Sequence, residues 1–184
     1  YAMVSYQTAW LKCYYPAHFM AAVLSADMQH TDKIVVMVEE SRRMGLKVLP
    51  PDINEGSFSF TVNAAGQVVY GLGAIKGLGE GPIQNLIKVR EQSGPFSDLF
   101  DFCKRVDLAL VNKRAIEALI RAGACDSFGA DRAVLLASMG EAVQTSEQNS
   151  MMQQSGVGDL FGETITSVQS GDVYANFRHV RPWS

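Results

Sequence analysis

Residues 70–87 read YGLGAIKGLGEGPIQNLI, and no other stretch limits the folding of this chain so strongly. An apolar run meets Ile75-Lys76-Gly77-Leu78-Gly79, and an amphipathic helix is expected from Pro82. Gly77, Gly79 and Gly81 let a tight turn take positive φ without a Cβ clash. They also leave main-chain N–H groups bare just before a helix N-terminus, where unsatisfied amides and the helix dipole favour an anion. Lys76 adds a mobile positive charge beside them. The pattern suits a phosphate, and leaves open whether it belongs to a nucleotide or to a DNA backbone.

The chain has 184 residues, enough for one ordinary domain or two small ones. Its 47% apolar content argues for a folded core. No uninterrupted apolar run reaches the ~20 residues that a membrane span needs. The opening Tyr-Ala-Met-Val-Ser-Tyr has neither a basic region nor an initiator methionine, so it reads as part of a longer protein rather than as a signal peptide. Cys13, Cys103 and Cys125 are too far apart for a zinc or redox motif and fit reduced thiols in the cytoplasm. The net charge of −3 is unevenly spread. Residues 72–136 hold nine Lys/Arg and eight Asp/Glu, whereas residues 137–177 hold five acids and no base. An acidic tail therefore masks a middle section able to touch DNA locally.

The expected architecture is mainly α with a small β-hairpin. Residues 5–15 form a first helix carrying Trp10, Leu11 and Tyr14. Pro16 opens a second, with Phe19, Met20, Val23 and Leu24 as its stripe. Thr31 caps a third with Ile34, Val35, Met37 and Val38 inward, and Gly45 stands at its end. Residues 47–54, with Pro50-Pro51, are extended. Phe58, Phe60 and Val62 alternate with polar neighbours and pair across residues 63–66 with residues 68–70. Helices follow at 82–91, from a Ser97 cap to about Val106, from an Asn112 cap to Arg121, and at 131–143. Residues 144–158, rich in Gln, Ser, Met and Gly without apolar period, read as a flexible linker.

The glycine turn has no βαβ frame and no following Gly-Lys-Ser/Thr, which removes the dinucleotide and Walker-type readings. A helix-hairpin-helix fits better, its turn amides holding one DNA phosphate, often beside a monovalent cation at residues 77–79. The alternative is a plain connector. A second hairpin around residues 122–125 has one glycine, Gly123, so packing is its expected role. Lys113, Arg114, Arg121 and Arg132 are candidate phosphate contacts, weighed against solvated faces with i,i+4 pairs. Asp159-Leu160-Phe161 follows the polar stretch and suits either a linear motif anchored in a partner's pocket or a fold-back onto the core.

YAMVSYQTAWLKCYYPAHFMAAVLSADM, RRMGLKVLPPDIN, YGLGAIKGLGEG and ALIRAGACDSFG, in this order, resemble the bacterial DNA polymerase III alpha family, the C-family replicative polymerases. The resemblance runs from Tyr1 to about Gly162. It implies that residues 1–70 are the C-terminal part of the fingers region with the start of a small β-hairpin. Residues 71–145 would be a tandem helix-hairpin-helix domain on duplex primer-template. Residues 146–184 would be a linker and tail whose Asp159, Leu160 and Phe161 bind the sliding clamp. DNA contacts would come from Lys76, Gly77, Leu78, Gly79, Gly81, Lys113, Arg114 and Arg121, with the rest of the polymerase and its holoenzyme as further partners.

Where the family usually has glutamine, two places before the aspartate, this chain has Val157. The family's catalytic aspartates lie in an upstream palm domain. No carboxylate pair here has the frame for two-metal nucleotidyl transfer, so no catalytic residue, resident metal or cofactor is expected in this segment, and Mg²⁺ would serve the parent enzyme. Tyr6, Gln7 and Lys12 are candidates for shaping a nucleotide pocket, with core packing the alternative for the tyrosine. The competing functions are a non-catalytic helical interaction scaffold, and the matching segment of the family's error-prone paralogue.

Overall fold

The computed structural model describes residues 1–154, 173–177 and 179–182. Helices α1 (Ala2–Tyr14), α2 (Pro16–Ala26) and α3 (Thr31–Arg43) come first. Pro16 sits in the first turn of α2, where its missing N–H costs nothing. Thr31 is the first helical residue of α3 and caps nothing; His30 precedes it without a side-chain cap. Ile34 is buried and Met37 and Val38 are half-buried, but Val35 points to solvent, 60% exposed. Five consecutive apolar residues at 34–38 cannot all lie on one helical stripe, which explains the error over Val35.

The expected hairpin forms from β2 (Thr61–Val62) and β3 (Val68–Val69), with Thr61 opposite Val69. A further strand, β1 (Val48–Leu49), pairs parallel to β3, which becomes the centre of a three-stranded sheet. Residues 47–54 are extended as expected, but a parallel partner distant in sequence leaves no local turn signal. Ala17, Ala21 and Leu24 of α2 pack with Ile34, Phe60, Val68 and Ala74 into one small core.

The larger core gathers Leu72, Ile75 and Leu78 with α4 (Glu80–Ser93), α5 (Leu99–Arg105), α6 (Lys113–Ala122) and α7 (Arg132–Gln154). Helix α4 therefore starts two residues before Pro82. Asp98, not Ser97, caps α5 by accepting from the Asp101 amide at 2.8 Å, while the Ser97 hydroxyl donates to Asp98. Asn112 caps α6 as expected, through the Ala115 amide at 3.0 Å.

Helix α7 corrects the linker reading, because it continues through residues 144–154. Among residues 144–151 only Ser146 is buried, at the end of a stripe that is small and partly polar. Leu135, Ser138, Ala142 and Ser146 follow at spacings of three and four, and the Ser146 hydroxyl donates to the Cys103 carbonyl at 2.7 Å. A stripe of Ser and Ala is invisible to an apolar-period search. The expected 145/146 boundary thus falls inside a helix. Residues 155–158 and the Asp159-Leu160-Phe161 motif lie outside the described residues. Beyond them, Val173 and the buried Tyr174 return to the larger core, and the Tyr174 hydroxyl accepts the Leu99 amide at 2.8 Å.

All three cysteines are free, with Cys13 exposed and Cys103 and Cys125 buried. Burial, with a smaller contribution from the Asp98 charge, pushes the Cys103 thiol up to about 12 from an ordinary 9.0. Cys125 is also raised, again chiefly by burial. A maleimide at about pH 8 is expected to label Cys13 alone in the native chain and all three thiols after denaturation, since the thiolate is the nucleophile. Linkage adds a pH dependence. The unfolded chain releases the Cys103 proton near 9 and the folded one only near 12, so stability falls as pH rises through that window.

Candidate nucleic-acid interface

The glycine turn grows from a rigid base. Gly71 and Gly73 lie against the 58–60 backbone so closely that a Cβ would approach within 2.7 Å of the Phe60 nitrogen and 2.9 Å of the Phe58 carbonyl. The Leu72 and Gly73 amides donate to the Ser57 and Phe58 carbonyls at 2.8 and 2.9 Å. Residues Leu72–Ala74 make one 3-10 turn, so the leading element of the first hairpin is a single turn and not an α-helix. Leu78, 8% exposed, plugs into the larger core and closes the turn through its amide to the Ile75 carbonyl at 3.2 Å. Its side chain is an anchor, out of reach of a ligand.

Only Gly77 among the three glycines takes positive φ, at 86°. Gly79 is extended (φ −81°, ψ 169°), and a Cβ there would meet only Pro82 Cδ at 3.8 Å. At Gly81 a Cβ would meet nothing within 4 Å. Neither glycine is demanded by the fold, but each leaves backbone uncovered on the outside. Among the described residues, no backbone or side-chain acceptor takes the amides of Lys76, Gly77, Gly79, Glu80 or Gly81. These bare donors precede α4, whose N-terminal dipole end is positive. Lys76 is exposed and makes no ion pair among the described residues; Glu80, in the first turn, supplies the local opposing charge.

An open groove of about 970 Å³ joins this turn to α6. Ile75, Lys76 and Gly77 line one wall, and Arg114, Glu117 and Arg121 the other. Those α6 residues recur at spacings of three and four and share a face. Tyr70 also lines the groove, its ring tilted against Phe60 with centroids 4.8 Å apart, and burial raises its phenol. Arg121 is paired with Glu117 at 2.7 Å, whereas Lys113 and Arg114 have no ion-pair partner among the described residues. Both stand in the first turn of α6, which contains no acid. Cations there oppose the helix dipole, each at a cost of about 0.3–1 kcal/mol, a cost that an arriving anion would remove.

The second hairpin is closed by its own hydrogen bonds at the turn glycine. Gly123 is left-handed at φ 84°, and its amide and that of Ala124 are satisfied by Ile120 and Leu119. The Ala124 carbonyl accepts the Ile53 amide at 2.8 Å. Arg132, a candidate phosphate contact on charge alone, forks onto the Asp126 carboxylate through Nε at 2.8 Å and Nη2 at 2.5 Å. Its guanidinium also covers Gly123, where a Cβ would clash with it. This hairpin holds an internal carboxylate, which occupies Arg132 in the free chain.

A helix-hairpin-helix motif model matches residues 45–135, which takes in the sheet, both turns and the start of α7. The DNA polymerase III alpha subunit of Pseudomonas aeruginosa is 53% identical over 98% of this chain. That of Vibrio cholerae is 55% identical over 100% of it. The chain belongs to the DNA polymerase III alpha family. The counterpart from Escherichia coli strain K12 is 48% identical, again over the full chain. The chain spans only 16–17% of the length of these relatives.

The residues expected from sequence thus divide. Lys76, Gly77, Arg114 and Arg121 line one groove, Gly79 and Gly81 lie at its turn, Lys113 flanks it on α6, and Leu78 belongs to the core. Tyr6, 68% exposed on α1, is not a core residue, and α1 buries none of its residues. Lys12 reaches Glu40 at 3.9 Å. Sequence reasoning overlooked Glu117 and Tyr70 as groove residues; the i,i+3,i+4 spacing around Arg114 and Arg121 was the available signal for the first. It also overlooked two braces beneath the turn. Arg90 donates to the Ile53 and Gly56 carbonyls at 2.9 and 2.8 Å, and Asn54 exchanges hydrogen bonds with the Phe96 backbone at 2.8 and 2.9 Å. Among the described residues, no group of three or more His, Cys, Asp or Glu could hold a metal ion, and no helix is long and apolar enough to cross a membrane.

Proposed function

We propose that this chain holds the backbone of duplex DNA for a longer, cytoplasmic replicative polymerase whose nucleotidyl transfer, with Mg²⁺, takes place in another part of the protein. The carrying observation is the set of amides at residues 76, 77 and 79–81, which have no acceptor among the described residues and are uncovered by two glycines that the fold itself does not need. Lys76 and the α6 cations would neutralise flanking phosphates, so recognition would follow backbone rather than base sequence. The carbonyls of Lys76 and Gly77 accept no hydrogen bond among the described residues and could hold a monovalent cation beside the phosphate. Residues 1–70 would then belong to the fingers region, with the exposed aromatic face of α1 against the remainder of the polymerase.

A fluorescence titration of the 184-residue chain with a labelled duplex tests the binding. The expected Kd is on the order of micromolar at low salt, weakening steeply as salt rises, because counterions are released from each neutralised phosphate. Absence of duplex binding at low salt would favour the protein-interaction scaffold.

Clamp tethering through Asp159, Leu160 and Phe161 is a second part of the proposal, supported by the sequence of that segment alone. Phe161→Ala is expected to weaken a pull-down with the purified clamp by roughly 2 kcal/mol, the cost of truncating an aromatic anchor. Equal retention of both forms would remove the assignment.

A further inference from the structure

Among the residues lining the groove, Glu117 alone carries a negative charge, and it lies between two arginines on the same face of α6. Its carboxylate forms an ion pair with Arg121 at 2.7 Å, with the two side chains 39% and 63% exposed respectively. A carboxylate offers a guanidinium much the same paired oxygens as a phosphate does. The pair is open to water, so it is weak enough to be exchanged. Arg114, one turn earlier, has no such partner among the described residues. Among the described residues, the groove therefore contains one arginine without an ion-pair partner and one already occupied by an internal anion.

We propose that Glu117 is a built-in phosphate substitute that tunes how tightly the groove holds DNA: a backbone phosphate must displace Glu117 to reach Arg121. This rests on the reading of the turn as a duplex-backbone site. In the free chain Glu117 neutralises Arg121 and keeps its guanidinium along the groove wall. While Glu117 holds Arg121, the bound duplex has one phosphate fewer neutralised, and fewer counterions are released than the cations in the groove would suggest. Such a site grips weakly and lets go readily, which suits a protein whose duplex must advance by one nucleotide at each cycle. Glu117 acts through Arg121 and is a positioning residue.

The test is a titration of the full 184-residue chain and its variants with one labelled duplex across a salt series. Glu117→Gln keeps the side-chain length and removes the charge. It is expected to raise affinity about fivefold at low salt and to steepen the slope of log K against log salt by about 0.9, the increment for one further neutralised phosphate. Adding Arg121→Gln should abolish both gains. A merely structural Glu117 would change the melting temperature without changing the salt slope. If Glu117→Gln binds with unchanged affinity and slope while Gly79→Val weakens binding, the inference is overturned and the backbone site stands. If Gly79→Val also has no effect, or no form binds duplex, the backbone reading fails and the inference fails with it.

Discussion

Gly79→Val is expected to lower duplex affinity at least tenfold while leaving the chain folded. The loss follows from what surrounds the position. A tenfold loss corresponds to about 1.4 kcal/mol, roughly one charge-assisted hydrogen bond to a phosphate. A branched side chain at Gly79 would stand over the amides that precede α4 and keep a phosphate out of hydrogen-bond range. The fold has room for it, since φ is −81° and the nearest contact would be Pro82 Cδ at 3.8 Å. Valine is a poorer N-cap than glycine, so stability should fall by about 1 kcal/mol and no more. Gly77→Val is a worse probe, because φ of 86° would strain any residue with a Cβ and confuse binding with folding. Gly81→Val offers a second clean variant, as glycine is the weaker helix former and no atom lies within 4 Å. Unchanged affinity in both variants would make the turn a connector.

Phe102→Ala should give the largest stability loss of any single truncation in α5, about 3–5 kcal/mol. Phe102 is fully buried and meets Phe96 edge to face, with ring centroids 5.0 Å apart. Arg105 lies 4.5 Å above the Phe96 ring and donates to the Gly94 carbonyl at 2.6 Å, so the cavity would open under a braced loop with little freedom to collapse. Leu72, Ile75 and Leu78 belong to the same core, which ties the turn's geometry to this packing. Urea denaturation measures the effect. Phe100→Ala, at a half-buried neighbour, should cost clearly less. A loss below about 1 kcal/mol at Phe102 would contradict a single close-packed core beneath the turn.

Both hairpins could be located in the sequence because glycine and caps mark chain reversals locally. Asn112 capped α6 and Gly123 ended it where the residue types required. Other features depended on partners distant in sequence. The Ser146 hydroxyl finds Cys103, which docks a polar Gln-Ser-Met stretch as helix, and β1 exists only because β3 lies beside it. Among the site residues, charge alone could not separate Arg114, without an ion-pair partner among the described residues, from Arg132, which is paired with Asp126. Nor could spacing show that Leu78 faces inward while Gly79 and Gly81 face out.

The most direct test of the central claim is to record backbone amide resonances of the chain while a short duplex is added. Binding through the turn predicts that the amides of Lys76, Gly77, Gly79, Glu80 and Gly81 shift first and most, accompanied by those of Lys113 and Arg114, and that added salt reverses the shifts. Saturable duplex binding that leaves residues 76–81 unmoved would contradict it.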